Sequence, residues 1–400
     1  MQGVVVETLK YMWRSEKNRL FMLISSVLVL SYSLFILPNI SGEAEVSIDG
    51  LEREMNGNVV QFEDALNEGL IVPNMLTGTS AYNSQRQEYV LQRQLLTALK
   101  QGDTRRYLSL AYRPESAQKK EAQALEQIMF SVMGYEQEQD YQGPKNQAYL
   151  NQFERINFHI VHERTSWQQI HLFLIGLGPV LLLLGLIFFI SDVHVKDREL
   201  QTQKIAQPIR WQKYLFIQTL TALSFVGIFY LSLFILFFII NGIQYGFGSL
   251  SFPIGYHEAF FEQGYLNLEN YQVKTMAWFI MRAIPMILLL AYFFGRLNSL
   301  LSLWTRQSVL TMLIGMFTIL FQFIYYGSDS TELAGLDISY FPQTYINLGN
   351  IITGRFEFQM VQEIPNLYSR GLTVLIISIL IIEIFIYLTS KKITRQMFLS

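Results

Sequence analysis

Two ionisable side chains lie inside otherwise apolar runs: Arg282 in MAWFIMRAIPMILLLAYFF and Glu383 in TVLIISILIIEIFIYL. On insertion scales a charge at mid-bilayer costs about 2.5–3.5 kcal/mol, so such residues normally face a bundle interior or a watery cavity. Two roles fit them. They line a polar substrate path, or they snorkel towards the nearer interface. Arg282 falls near the outer end of its run and Glu383 nearer the inner end of its own, which argues against a direct pair. Both roles stand for Arg282. For Glu383 snorkelling is the simpler one.

Catalytic patterns are missing. There is no G-x-x-x-x-G-K-[ST] for ATP, no G-x-S-x-G and no H-E-x-x-H, since His162-Glu163 is followed by Arg-Thr-Ser. His159 and His162 stand three apart, with His171 further on. Without a third placed ligand they read as polar residues near a membrane–water boundary rather than a metal site. The chain has no cysteine, which excludes disulfides, iron–sulfur clusters and thiolate zinc sites. A net charge of −2 gives no case for nucleic acid. No catalytic residue and no metal ligand is nominated.

The elements that position these residues follow from composition. The chain is 51% hydrophobic and 16% charged, against about 25% charged in a soluble domain. A bilayer core of about 30 Å needs roughly 17–25 apolar residues in a helix. Segments 20–38, 169–191, 214–240, 276–295, 308–326 and 371–389 qualify, and their continuous apolarity indicates helices rather than barrel strands. The expected fold is an all-α polytopic membrane protein with six transmembrane helices. Lys10, Arg14, Lys17 and Arg19 precede the first run, and no A-x-A-like cleavage site follows, so it reads as an uncleaved span.

Lys and Arg set the orientation. They gather in the N-terminus, in the 192–213 loop (Lys196, Arg198, Lys204, Arg210, Lys213), in the 296–307 loop (Arg296, Arg306) and in the 390–400 tail. With six alternating spans these flanks share the cytoplasmic side, and both termini are cytoplasmic. Residues 1–19 form an amphipathic helix in the headgroup plane, with Val5, Leu9, Met12 and Trp13 on one face and Lys10, Arg14 and Lys17 on the other.

Residues 39–168 form a mostly helical extracellular domain between the first two spans. One helix covers NSQRQEYVLQRQLLTALKQGD and stops at Gly102. A second runs from Pro114 to Gly134, and Gly143-Pro144 breaks the chain. Segment 327–370 is the other long outer stretch.

The loop HVKDRELQTQKIAQPIRWQKY carries five Lys/Arg in 21 residues. It suits a short helix from about Lys196 to Gln207, ended by Pro208. A short charged helix tied to two spans is a lever for a soluble partner. A solvated loop of orientation charges fits the same residues equally well.

A resemblance decides between them. Arg198-Glu199, Lys204-Ile205, Pro208-Ile209 and Arg210 resemble the loop after the second span of ABC-2 type transporter permeases, with Gln201-Thr202 where that family often has Gly-Thr. FPQTYINLGNIITGRF (341–356) resembles the family's segment before the last span. The resemblance covers most of residues 1–38 and 169–400. It implies a coupling helix docking on a separate cytoplasmic ABC ATPase subunit, through Arg198, Glu199, Leu200, Thr202, Lys204, Ile205, Pro208 and Arg210. It also implies a second permease chain and two ATPase copies per complex. ATP and Mg sit on the ATPase, and this chain binds no cofactor. Pro342, Gly349 and Gly354 would suit a re-entrant segment of broken helices, buried in protein.

The expected function is the membrane subunit of an ABC exporter in a bacterial plasma membrane, moving a hydrophobic or amphipathic substrate, a peptide first. The alternative is a membrane sensor or immunity protein that binds an extracellular peptide through residues 39–168. An intramembrane enzyme is disfavoured, because no two catalytic residue types converge in the spans.

Overall fold

The computed structural model describes residues 2–38, 48–69, 71–72, 80–111, 136–200, 209–257, 261–262, 265–266, 271–323, 332–333, 335–356 and 367–399. These residues are mostly helical. Among the described residues, five stretches are long and apolar enough to cross a membrane: Glu16–Ile36, Gly178–Arg198, Trp211–Tyr245, Met276–Thr305 and Leu367–Lys392.

In chain order, α1 (Gln2–Arg14) lies before α2 (Glu16–Ser31), which ends in a π turn at Tyr32–Ile36. The break at Ser15 is held by Asn18, whose side-chain amide donates to the Met12 carbonyl (3.1 Å). The amphipathic α1 does form. Val4, Thr8 and Met12 turn inward, whereas Leu9 and Trp13 stay exposed, so the buried stripe is rotated from the expected one.

Helices α3 (Ile48–Asn67) and α4 (Ala81–Gln101) pair antiparallel, with Asn58 donating to Gln92 (2.8 Å). Gly102 ends α4 in the left-handed region at φ 71°, as its place in the sequence led us to expect. The helix expected over 114–134 lies outside the described residues. After α5 (Thr104–Ala111), α6 (Glu136–Gln152) runs straight through Pro144. The expected break is therefore corrected. A proline removes one backbone donor, and the following turns are anchored by buried Tyr149, which packs against Phe153 and Phe252. A short α7 (Phe158–Val161) leads on to the membrane helices.

The second expected span is broken. It consists of α8 (Ser166–Ile175) and α9 (Gly178–Ile190), because Pro179 stands in the first turn of the second piece and cannot continue the first. A 3-10 turn follows at Val195–Leu200. Helix α10 (Trp211–Tyr245) has 35 residues, about 52 Å at the α-helical rise, and so outruns a bilayer core. Antiparallel β1 (Pro253–His257) and β4 (Tyr271–Thr275) form a hairpin enclosing the two-residue strands β2 (Phe261–Glu262) and β3 (Tyr265–Leu266).

Helix α11 (Met276–Thr305) is central and packs against α9, α10, α12 (Ser308–Leu320) and α14 (Leu367–Lys392). It overruns its expected end at 295, so the 296–307 loop shrinks to a turn at Arg306. There, Ser299 and Ser302 bond back to carbonyls of their own helix, and Asn298 bonds to the Ile190 carbonyl (3.1 Å). Polar residues with partners inside the bundle let the helix continue. Of the fifth expected span, 308–326, the described residues hold the 13-residue α12, about 20 Å long, and helical Gln322 and Phe323, while 324–326 lie outside the described residues.

The basic flanks meet at one end of the bundle. Lys17 pairs with Asp192 (2.9 Å), Arg198 donates to the Arg306 carbonyl (3.1 Å), and Arg395 of α15 (Arg395–Leu399) donates to the Ile209 carbonyl (3.0 Å). At the opposite end, Tyr32 bonds Gln169 (3.1 Å) and Ser166 N–H bonds the Gly246 carbonyl (3.2 Å).

Between α12 and α14 lie a small ladder of β5 (Glu332–Leu333) with β6 (Leu336–Asp337), 3-10 turns at Ile338–Tyr340 and Pro342–Ile346, and α13 (Leu348–Ile352). This broken segment is packed in protein, with Tyr345, Ile346 and Leu348 fully buried. Pro342 opens the second turn, and Gly354 takes φ 76°. Gly349 lies against backbone: a Cβ there would stand 2.4 Å from Ile175 Cα and 2.5 Å from the Leu174 carbonyl oxygen. Gly349→Ala must push two backbones apart. The expected loss is about 1–3 kcal/mol, the usual cost of overpacking. Gly227→Ala, into open space on α10, should be neutral or slightly stabilising. Thermal unfolding of both variants in nanodiscs checks the contrast.

Candidate functional site

The described part of the expected coupling segment is the turn Val195–Leu200, which carries Arg198, Glu199 and Leu200. It is a 3-10 turn rather than an α-helix. Arg210 sits at the N-cap of α10. Thr202, Lys204, Ile205 and Pro208 lie outside the described residues.

The turn is bolted to the bundle by its inward side. Asp197 is 3% exposed and accepts from the Tyr214 hydroxyl (2.6 Å) and the Gln218 amide (3.2 Å). The same amide reaches the Val193 carbonyl (2.9 Å). Gln218 Oε1 can only accept, so the His194 Nδ1 that meets it at 2.8 Å carries the proton. In the neutral ring Nε2 then accepts, within reach of the hydroxyls of Ser299 (2.9 Å) and Thr219 (3.1 Å).

From Thr219 the bonds pass to Arg296. Its Nη1 donates to the Thr219 hydroxyl (3.2 Å), while Nε and Nη2 fork onto both oxygens of Glu383 (2.6 and 2.8 Å). Tyr292 donates to the same carboxylate (2.8 Å). Arg296 is 2% exposed and the Glu383 side chain 33%. One bonded chain thus runs from the turn through α10 and α11 to α14.

Arg296 is not the loop charge that hydropathy suggests. It lies instead inside α11, as the partner of Glu383, so snorkelling does not describe Glu383. The signal was readable: Tyr292, Arg296 and Ser299 follow i, i+4, i+7 spacing and share one helical face. Arg282 belongs elsewhere. Its guanidinium stacks over Trp278 (4.3 Å) and Tyr368 (4.9 Å), and the Tyr368 hydroxyl donates to the Arg282 carbonyl (3.2 Å).

A second polar knot lies at the end opposite the basic flanks. Glu163, at φ 54°, pairs with Lys145, and Gln169 donates to the Glu163 carbonyl (2.9 Å). Burial pushes the Glu163 carboxyl up, but Lys145, with His171 and Arg355, outweighs it and holds the group below the usual carboxylate range. The three histidines do not meet: His159 stands against Tyr245, His162 against Phe158 and His171 against Phe279. Among the described residues no group of three potential ligands could hold a metal ion.

No family model, curated protein or solved structure matches the chain.

Removing one member of the fork strands the other. Glu383→Gln should leave the buried Arg296 guanidinium without a counter-charge. The expected loss is near the lower end of about 3–5 kcal/mol, since Glu383 is partly exposed. The double variant Arg296→Met/Glu383→Leu should recover most of it. Unfolding midpoints of the wild type, the single and the double variant decide the matter.

Proposed function

We propose that this chain is the transmembrane permease subunit of an ATP-driven exporter of the ABC-2 type, energised by a separate ATPase. The observation that supports it most is the anchoring of the Val195–Leu200 turn. A solvated loop of orientation charges needs no buried aspartate beneath it. Here Asp197 is buried and doubly bonded, and Arg198 is tied to the Arg306 carbonyl. A push on this turn is delivered to α10, α11 and α14 together, rather than absorbed by a slack linker.

In this reading the basic end is cytoplasmic, in a bacterial plasma membrane. Glu199 and its neighbours up to Arg210 meet the ATPase, which holds ATP and Mg. Two permease chains and two ATPase chains make the unit. ATP-driven closure of the ATPases rocks the permease helices. The helical unit of α3–α6, resting on the β1–β4 hairpin through Tyr149 and Phe153 against Phe252, stands outside the membrane. The cargo is a hydrophobic or amphipathic molecule, a peptide first.

Affinity purification of the tagged chain from its native membrane should bring down a nucleotide-binding protein. Glu199→Arg should keep the complex folded but remove the stimulation of ATP hydrolysis by the permease. A complex without any nucleotide-binding protein, or one whose hydrolysis is unchanged by Glu199→Arg, would reject the reading.

A further inference from the structure

At the basic end a pocket of about 370 Å³ lies between α10, α11 and α14, lined by Gln212, Lys213, Phe216, Arg296, Glu383, Ile386 and Tyr387. That volume falls within the about 300–1,000 Å³ of small-molecule sites. Its chemistry is uneven. The Glu383 carboxylate already accepts from Arg296 and Tyr292, so its charge is matched. Of the five guanidinium N–H donors of Arg296, the bonds to Glu383 and Thr219 use three. Lys213 is exposed and has no ion pair or hydrogen bond among the described residues. The pocket therefore carries one unmatched positive charge and spare donors, beside the aromatic face of Phe216. Arg210, Lys391 and Lys392 add positive charge at the same end.

The walls continue as grease. Phe216 and Leu220, one turn apart on α10, are 41% and 46% exposed, and Leu380, one turn before Glu383 on α14, is 57% exposed. A ligand seated here meets cations at one end and apolar surface along its length. A free anion would satisfy the first and leave the second bare.

We propose that this pocket holds the phosphate of an anionic phospholipid, with Lys213 as the contact cation, the spare Arg296 donors behind it, and an acyl chain along Phe216, Leu220 and Leu380. Basic pockets between transmembrane helices take lipid head groups by this combination of charge and apolar contact. The site sits directly on the Arg296–Glu383 fork, so an occupying phosphate would hold the fork closed on its open side. The inference needs only a membrane chain and stands whether or not an ATPase partner exists.

The test uses the full-length chain in mild detergent, titrated separately with phosphatidylglycerol, phosphatidylcholine and inorganic phosphate, with bound species counted by native mass spectrometry. One phosphatidylglycerol should be retained in preference to phosphatidylcholine. Lys213→Gln should weaken it about fivefold, the effect of one basic residue at an anionic surface. Lys392→Gln, outside the pocket, should change it little. Phe216→Glu, which places a carboxylate in the pocket, should abolish the preference. Equal retention of the two lipids, equal loss in Lys213→Gln and Lys392→Gln, or inorganic phosphate binding as tightly as phosphatidylglycerol would each overturn the proposal.

Discussion

A guanidinium cannot be left bare in the middle of a helix bundle, and Arg296 is 2% exposed. Its charge is tolerable only because two oxygens of Glu383 meet it in a fork and Thr219 takes a further N–H. That requirement fixes more than two side chains. It sets the register of α11 against α14, because a shift of one turn in either helix would separate the charges. It fixes the rotation of α10, because Thr219 must face Arg296. Tyr292 and Ser299, on the same face of α11, extend the contact in both directions.

The rest of the basic end is built outward from that fork. Ser299 and Thr219 hand the network to His194, Gln218 hands it to Asp197, and Asp197 holds the turn that follows α9. The opposite end adds close backbone packing to its own polar knot of Glu163, Lys145 and Gln169. There Gly349 lets α13 lie on the backbone of α8, whose Gln169 donates to the Glu163 carbonyl. Directed polar bonds thus join both ends, and close backbone contact at Gly349 is added at the end opposite the basic flanks.

Much of the fold was legible. The spans showed as continuous apolar runs, and α4 showed its end in Gly102. What failed did so for physical reasons. Counting charges assigned Arg296 to a loop because a lone cation after an apolar run normally marks a helix end. Its partner lies 87 residues away on another helix, and the face that Arg296 shares with Tyr292 and Ser299 is a local sign of its place inside α11. Gly178-Pro179 advertised the break between α8 and α9, yet the surrounding leucines and phenylalanines concealed it within one hydrophobic stretch. Gly143-Pro144 reads as a stop, whereas downstream burial of Tyr149 carries the helix through it. At the candidate site, Glu383 was visible as an oddity, but His194, Asp197 and Gln218 looked like ordinary loop and helix residues. Their roles arise from tertiary placement alone.

The central claim is that the turn at Val195–Leu200 and the fork at Arg296–Glu383 belong to one mechanical unit. A double-mutant cycle tests it directly. Tyr214→Phe removes a bond to Asp197 at one end, and Glu383→Gln breaks the fork at the other. The stabilities of the wild type, the two single variants and the double variant in nanodiscs give the coupling. A connected network predicts a departure from additivity of about 0.5–3 kcal/mol. Losses that add to within about 0.3–0.5 kcal/mol, as for independent sites, would contradict the account.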